Sequence, residues 1–337
     1  MARSAGIDQG YYSRIENDLL PQGPSEDVVE RIALTLGFPL QFFYQSDRVY
    51  GLPMSIHPMH RKKADVGERA LHQLHAELNL RFLHLRRLFQ AIDIEPQLPL
   101  PWIDVDDGGG PEAVAKAVRS AWMLPRGPVM NLTECVERAG VIVVWCDFSV
   151  NVDGVTMRTP DLPTCVFLNR KAPADRMRFS LAHELGHIVM HKVPTDDIEN
   201  EANSFAREFL MPSADIRRDF AGHVNLEKLI RLKAVWRTSI QALLFQATCT
   251  KSITKNQGTY LWRQIARLGW RTREPADTDF AREEPTVFPS FIKMHMTDLG
   301  YSKAEVAGIL HCKMEDFDFL YRLPAKESQK PHLRLIK

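Results

Sequence analysis

Two histidines four residues apart, His183 and His187, stand in the run Ala174–His191 with Glu184 directly after the first of them. Phe179, Leu181, Leu185, Ile188 and Val189 recur there with helical period. On a helix the two imidazoles lie one above the other, about 6 Å apart along the axis. From there both reach a single zinc-sized ion at bonds of about 2.0–2.1 Å. Glu184 is rotated by about 100° from His183, beside such an ion and not on it. That is where a base takes a proton from metal-activated water. The chemistry this predicts is hydrolysis.

A site open to water needs a third protein ligand. His191 continues the four-residue spacing but lies about 12 Å from His183 along the axis, too far for one ion. It reads as a helix-end histidine facing the C-terminal dipole. After Lys192-Val193-Pro194-Thr195 a new helix begins at Asp197 and runs to Pro212. In it Glu199 and Asn203 share a face, while Ala202 and Ala206 permit close helix approach. A carboxylate one turn from an amide suits a ligand beside a group that orients a histidine. Glu201 is two residues on and points elsewhere, so only one of the two carboxylates ligates. Glu199 is favoured, with Glu201 the alternative.

The elements that must position these groups are legible nearby. Pro111–Trp122 and Pro128–Ala139 have helix patterns, the second closed by Gly140. Val141–Phe148, Val152–Thr159 and Thr164–Asn169 are β-branched and apolar enough for strands. Pro173 opens the histidine helix. Thr164–Asn169 is expected to be an edge strand able to pair with an extended substrate. No oxyanion-stabilising side chain is identifiable; His223 reads as a surface histidine.

HELGHIVMH followed by ENEANSFAREFLMP resembles the ImmA/IrrE metallopeptidases, whose signature couples HExxH to an E-x-x-A-N-x-F-A-x-x-x-L-M-P helix. The preceding VFLNRKAPADRMRFSLAHE and the later AVWRTSIQALLFQA share in the resemblance, which covers roughly residues 112–250. It implies an α+β fold, a zincin-like peptidase domain with a small mixed sheet and the HExxH helix, flanked by helical regions. It implies zinc on His183, His187 and Glu199, with Glu184 as catalytic base; the spacing adds Asn203 as the group behind the ligands. Zinc-bound water would attack a peptide carbonyl of a protein substrate, a transcriptional repressor or an antitoxin.

Residues 5–17 resemble the turn and recognition helix of an XRE/Cro-type helix-turn-helix, and residues 24–37 its later helices. The groove-facing residues would be Gln9, Gly10, Tyr11, Ser13 and Arg14. The resemblance begins about 20 residues into that family's pattern, after its first helix. The expectation is a partial domain, or a true start further upstream, with DNA a doubtful partner. The acidic local charge points the same way. The alternative to a peptidase is a DNA-binding transcriptional regulator that uses the peptidase-like domain as a sensor.

The 337 residues divide into a partial helix-turn-helix (1–47), a helical connector and linker (48–110), the metallopeptidase region (111–250) and a C-terminal helical accessory region (251–337). The basic run His60-Arg61-Lys62-Lys63 reads as solvated linker, and Pro96–Gly110 as a low-complexity loop. Lys plus Arg number 43 and Asp plus Glu 42, which excludes a grossly basic nucleic-acid wrapper and an acidic tail protein. Five widely spaced cysteines without a CxxC pair exclude a zinc ribbon and a disulfide framework. No apolar run approaches a membrane span, and no signal-peptide layout opens the chain, so a cytoplasmic protein without membrane contact is expected.

Overall fold

The computed structural model describes residues 1–46, 49, 51, 68–148, 150, 152–193, 197–275, 278–321 and 333–335. The basic run at 60–63 lies outside them, as do residues 194–196 of the turn after the histidine helix. In chain order the elements are α1 (Gln9–Glu16), α2 (Glu26–Leu36), a 3-10 turn (Leu40–Tyr44), α3 (Glu68–Leu88) and β1 (Ile92–Ile94). Then come α4 (Pro111–Ala121), α5 (Leu132–Arg138), β2 (Ile142–Cys146), β3 (Gly154–Thr159), β4 (Leu162–Asn169), α6 (Ala174–Met190) and α7 (Ile198–Leu210). The rest are α8 (Ser213–Asp219), α9 (Leu226–Trp236), α10 (Ile240–Cys249), α11 (Lys255–Arg267), α12 (Val287–Thr297), α13 (Lys303–Ile309), α14 (Met314–Leu320) and β5 (Leu333–Leu335). The fold is mixed α+β.

Three strands form the sheet that organises the molecule, in the order β2-β4-β3. β4 runs parallel to β2 and antiparallel to β3, with Val166 opposite both Val143 and Thr156. The expected edge strand is therefore the central one. Its backbone is paired on both sides, which leaves no free edge for a substrate. Local pattern marks a strand, but which strands flank it is decided by long-range pairing.

Alternation along the strands divides the side chains between two cores. Val143, Val166 and Leu168 face a front core with Val118, Val136, Leu181, Leu185, Phe205 and Phe209 of α4–α7. Ile142, Val144, Val155, Cys165 and Phe167 face a back core with Leu78 and Phe82 of α3, Phe291 of α12, Val306 of α13 and Phe317 of α14. A sheet covered on both faces needs apolar residues at every position, hence the unbroken run Val141–Trp145. The connector helix α3 and the C-terminal helices α12–α14 thus supply most of the described back layer, with Ile92 of β1 beside them.

Carboxylates stitch the two layers together. Glu283 accepts from the backbone N–H groups of Leu132 (2.9 Å) and Thr133 (3.1 Å) at the start of α5. Glu137, within α5, accepts in turn from the N–H groups of Thr286 (3.0 Å) and Val287 (3.1 Å) at the start of α12. Each segment caps the other's helix, satisfying amides that a first turn leaves without partners. Glu283 also pairs with the buried Arg178 of α6. Behind α6, the buried Lys233 ammonium donates to Asp175 (2.9 Å), Glu274 (2.8 Å) and Asp279 (3.3 Å), and Glu274 also takes the N–H groups of Ile240 and Gln241 at the start of α10.

The Pro- and Gly-rich stretch before α4 is packed against the domain. Trp122 donates its indole N–H to the Pro99 carbonyl, and the Ile103 N–H reaches the Val189 carbonyl at the end of α6. Proline excludes regular structure there without excluding burial.

Candidate functional site

Pro173 sits in extended conformation as the residue before α6, where a missing N–H is no loss. The far end of α6 is closed by a side chain from the sheet. The Arg158 guanidinium of β3 donates to the carbonyls of His187 (3.2 Å), Ile188 and His191 (3.3 Å), and the His187 carbonyl also accepts the His191 N–H that closes the last turn. β3 therefore fixes the helix along its axis.

Across the front, α6 meets α7 at very close range. A Cβ on Gly186 would stand 3.1 Å from Phe205 Cδ1 and 3.3 Å from the Ala202 Cα. With hydrogen at 186 and a methyl at 202, the backbones approach far enough for Glu199 to face the histidines. His183 Nε2 and His187 Nε2 are 3.0 Å apart, and Glu199 places Oε2 3.7 Å from the first and Oε1 3.5 Å from the second. One ligand atom from each of the three lies within 4.8 Å of the others. For bonds of about 2.0–2.1 Å, the edge of a coordination tetrahedron is about 3.3–3.4 Å. The observed separations bracket that edge, so the donor set fits a zinc-sized ion in both size and chemistry.

The other ring nitrogens are held as well. His183 Nδ1 donates to Asn203 Oδ1 at 3.1 Å, leaving its Nε2 as the lone-pair nitrogen. Burial, reinforced by the neighbouring His187, drives the His183 pKa down to about 4, so its ring is neutral at pH 7. His187 Nδ1 lies 2.9 Å from His191 Nδ1, and His191 Nε2 lies 2.9 Å from Glu201 Oε2. The structure thus brings together His183, His187, Glu199, Asn203 and Glu184, and sets Glu201 against His191. His191 stands at the end of α6 and outside the three-donor cluster, as its spacing predicts, but it is held by side chains as well as by the helix end. It is 2% exposed and wedged between α6 and α7.

Glu184 is buried, with its carboxylate clamped by β3. Thr156 donates both its hydroxyl, at 2.6 Å, and its backbone N–H. Burial raises the Glu184 pKa, while His187 and the Thr156 donors oppose the rise. Gly154 is the necessary companion, since a Cβ there would be 3.2 Å from Leu168 and 3.3 Å from Glu184 Cγ. Sequence reasoning missed Thr156 and Arg158, because a strand and helix far apart in sequence carry no joint signal. His191 had one: it shares a helix face with His187, whose second nitrogen needs a partner. His223 is exposed and plays no part in the cluster.

Beside Asn203 opens a cleft of about 840 Å³, lined among others by Asp153, Phe179, Ser180, Arg207 and Phe245.

Residues 136–248 match the IrrE N-terminal-like domain of peptidase family M78. The matched segment spans all three strands of the sheet, α6, α7 and the whole His183–Glu199 cluster. The back layer of α3 and α12–α14 lies outside it. Residues 1–43 match a helix-turn-helix model. No curated protein matches the chain.

In the helix-turn-helix segment Asp8 caps α1 by accepting from the Tyr11 N–H at 3.0 Å. Gln9, Gly10, Ser13 and Arg14 are exposed and Tyr11 is half-buried, with the Arg14 guanidinium 5.6 Å from the centre of its ring. Arg31 of α2 ties the segment together through the Gly6 carbonyl (3.0 Å) and Asp27 (2.9 Å). Arg3, Arg14 and Arg31 are outnumbered by Asp8, Glu16, Asp18, Glu26, Asp27 and Glu30. No helix of the described residues is long and apolar enough to cross a membrane.

Proposed function

We propose that the chain is a zinc-dependent endopeptidase of the gluzincin type, with His183, His187 and Glu199 as ligands and Glu184 as general base. The observation that carries this reading is the convergence of two imidazole nitrogens and one carboxylate within 4.8 Å, beside a buried glutamate, in a segment matching a peptidase family. Zinc held there supplies a Lewis acid for the peptide carbonyl and acidifies the attacking water. Glu184 takes a proton from that water and returns it to the leaving amine. Thr156 holds the carboxylate in place, and its burial keeps the proton affinity high enough for both transfers. Asn203 fixes the ring of His183. The cleft beside Asn203 seats the polypeptide substrate, and the attached helix-turn-helix favours a DNA-binding repressor or an antitoxin as that substrate.

The test compares new protein N-termini in cells expressing wild type or Glu184→Gln at equal level, with zinc content measured on both proteins. Ends that arise with wild type alone support the peptidase and name its substrate. Identical profiles from two zinc-loaded proteins would sink it.

A second reading rests on the match at residues 1–43 and the exposed face of α1. In it the chain is a DNA-binding regulator whose peptidase-like domain senses a signal. Glu184→Gln then leaves regulation intact.

A further inference from the structure

A neutral imidazole has one nitrogen that donates and one that accepts, and only the accepting nitrogen can bind a metal. Which nitrogen of His187 accepts is decided two side chains along, through His191, at Glu201. Glu201 presents carboxylate Oε2 at 2.9 Å from His191 Nε2, so that nitrogen carries the proton. The same ring then offers Nδ1 as an acceptor, and the partner 2.9 Å away is His187 Nδ1. His187 must donate from Nδ1, which leaves its Nε2 lone pair facing His183 Nε2 at 3.0 Å and Glu199 at 3.5 Å. In the opposite assignment a proton on His187 Nε2 would occupy the point where the three donors meet.

We infer that His191 and Glu201 are positioning residues, a carboxylate–imidazole–imidazole chain that fixes the tautomer and tilt of His187 so that Nε2 faces the metal position. The inference rests on the metal reading of His183, His187 and Glu199 and adds two residues to it. The two ligand histidines are held differently. His183 leans on a neutral amide, Asn203, whereas His187 leans through His191 on a negative charge. The chain also links the helices: Glu201 stands on α7, as Glu199 does, while His191 closes α6. Ordering His187 and placing Glu199 are therefore one event.

The experiment uses the full chain. Zinc affinity is measured by competition with a chromophoric chelator, and imidazole tautomers by two-bond proton–nitrogen spectra of the zinc-free protein. His191→Phe fills the space without a nitrogen, His191→Asn restores an acceptor near the Nδ1 position, and Glu201→Leu removes the charge but leaves His191 in place. His191→Phe and Glu201→Leu are expected to weaken zinc binding about 10–100-fold, with His191→Asn recovering most of the loss. The wild-type spectra should show His187 protonated at Nδ1 and His191 at Nε2. The chain is overturned if both disruptive variants bind zinc within about twofold of wild type, or if His187 carries its proton on Nε2. A wild-type protein that binds no zinc is a different result, which removes the metal reading itself. Circular dichroism of each variant separates loss of the relay from loss of the fold, and Glu201→Leu, altered at the far end of the relay, provides the test if His191→Phe unfolds.

Discussion

The chain carries two groups of side chains suited to chemistry, and they are built on opposite terms. In the M78 segment Glu184, His187 and His191 are all at least nine-tenths buried, and each is bonded to another protein group. In the helix-turn-helix segment α1 has no buried residue, and the candidate contacts Gln9, Ser13 and Arg14 face solvent. The first group takes its geometry from packing before any ligand arrives. The second takes its geometry from whatever it meets. A substitution should therefore act on the two regions in different ways: in the first through positions and charges held out of water, in the second through single contacts only.

The sharpest contrast comes from Glu184→Gln, which keeps the shape of the buried site and removes the proposed base. Peptide hydrolysis should fall about 10²–10⁴-fold, read by single-turnover cleavage, with zinc content unchanged. Next is Lys233→Ala, far from the reacting groups but in the same buried frame. It strips the counter-charge from Asp175 and Glu274 and should cost about 3–5 kcal/mol in urea unfolding. A loss under about 1 kcal/mol would show that water reaches the cluster and that the frame is looser than drawn.

Thr156→Val is gentler, since it removes one donor from the Glu184 carboxylate. Turnover should drop about tenfold at unchanged KM, worth about 1.4 kcal/mol, while Thr156→Ser restores it. A change in KM alone would make Thr156 a substrate contact. The smallest effect is expected from Arg14→Ala in the exposed region. Stability should stay within about 0.5 kcal/mol by thermal unfolding, and any low-salt gel shift should weaken only a few-fold. Marked destabilisation would mean that α1 is packed by more than its own turn and would break the comparison.

The sequence made one of these regions far more legible than the other, for a physical reason. Helical period and fixed rise are local, so the pairing of His183 with His187 and the direction of Glu199 relative to Glu201 follow from neighbours in the chain. The three strands were visible for the same reason. Their order was not. β4 looked like an edge because nothing in Leu162–Asn169 records that β2 and β3 pair on either side. Thr156 and Arg158 were silent because their partners lie on α6, reached only once the sheet is assembled. His191 was placed correctly at the helix end, but its bonds to His187 and Glu201 were not foreseen because its spacing was tested only for metal contact. The packed Pro96–Gly110 stretch teaches that composition reports the absence of regular structure more reliably than the absence of contacts.

The exchanged helix caps have a consequence for how the protein comes into being. Arg178, on the helix that bears His183 and His187, and the first amides of α5 all depend on Glu283. The start of α12 depends on Glu137. During synthesis the histidine helix leaves the ribosome long before the segment that neutralises and caps it. A nascent chain with its histidines and glutamates already made still lacks the frame that holds them. The order of translation thus leaves the surroundings of this helix incomplete until the C-terminal third is made, and a chain broken off before Glu283 lacks both the cap of α5 and the partner of Arg178.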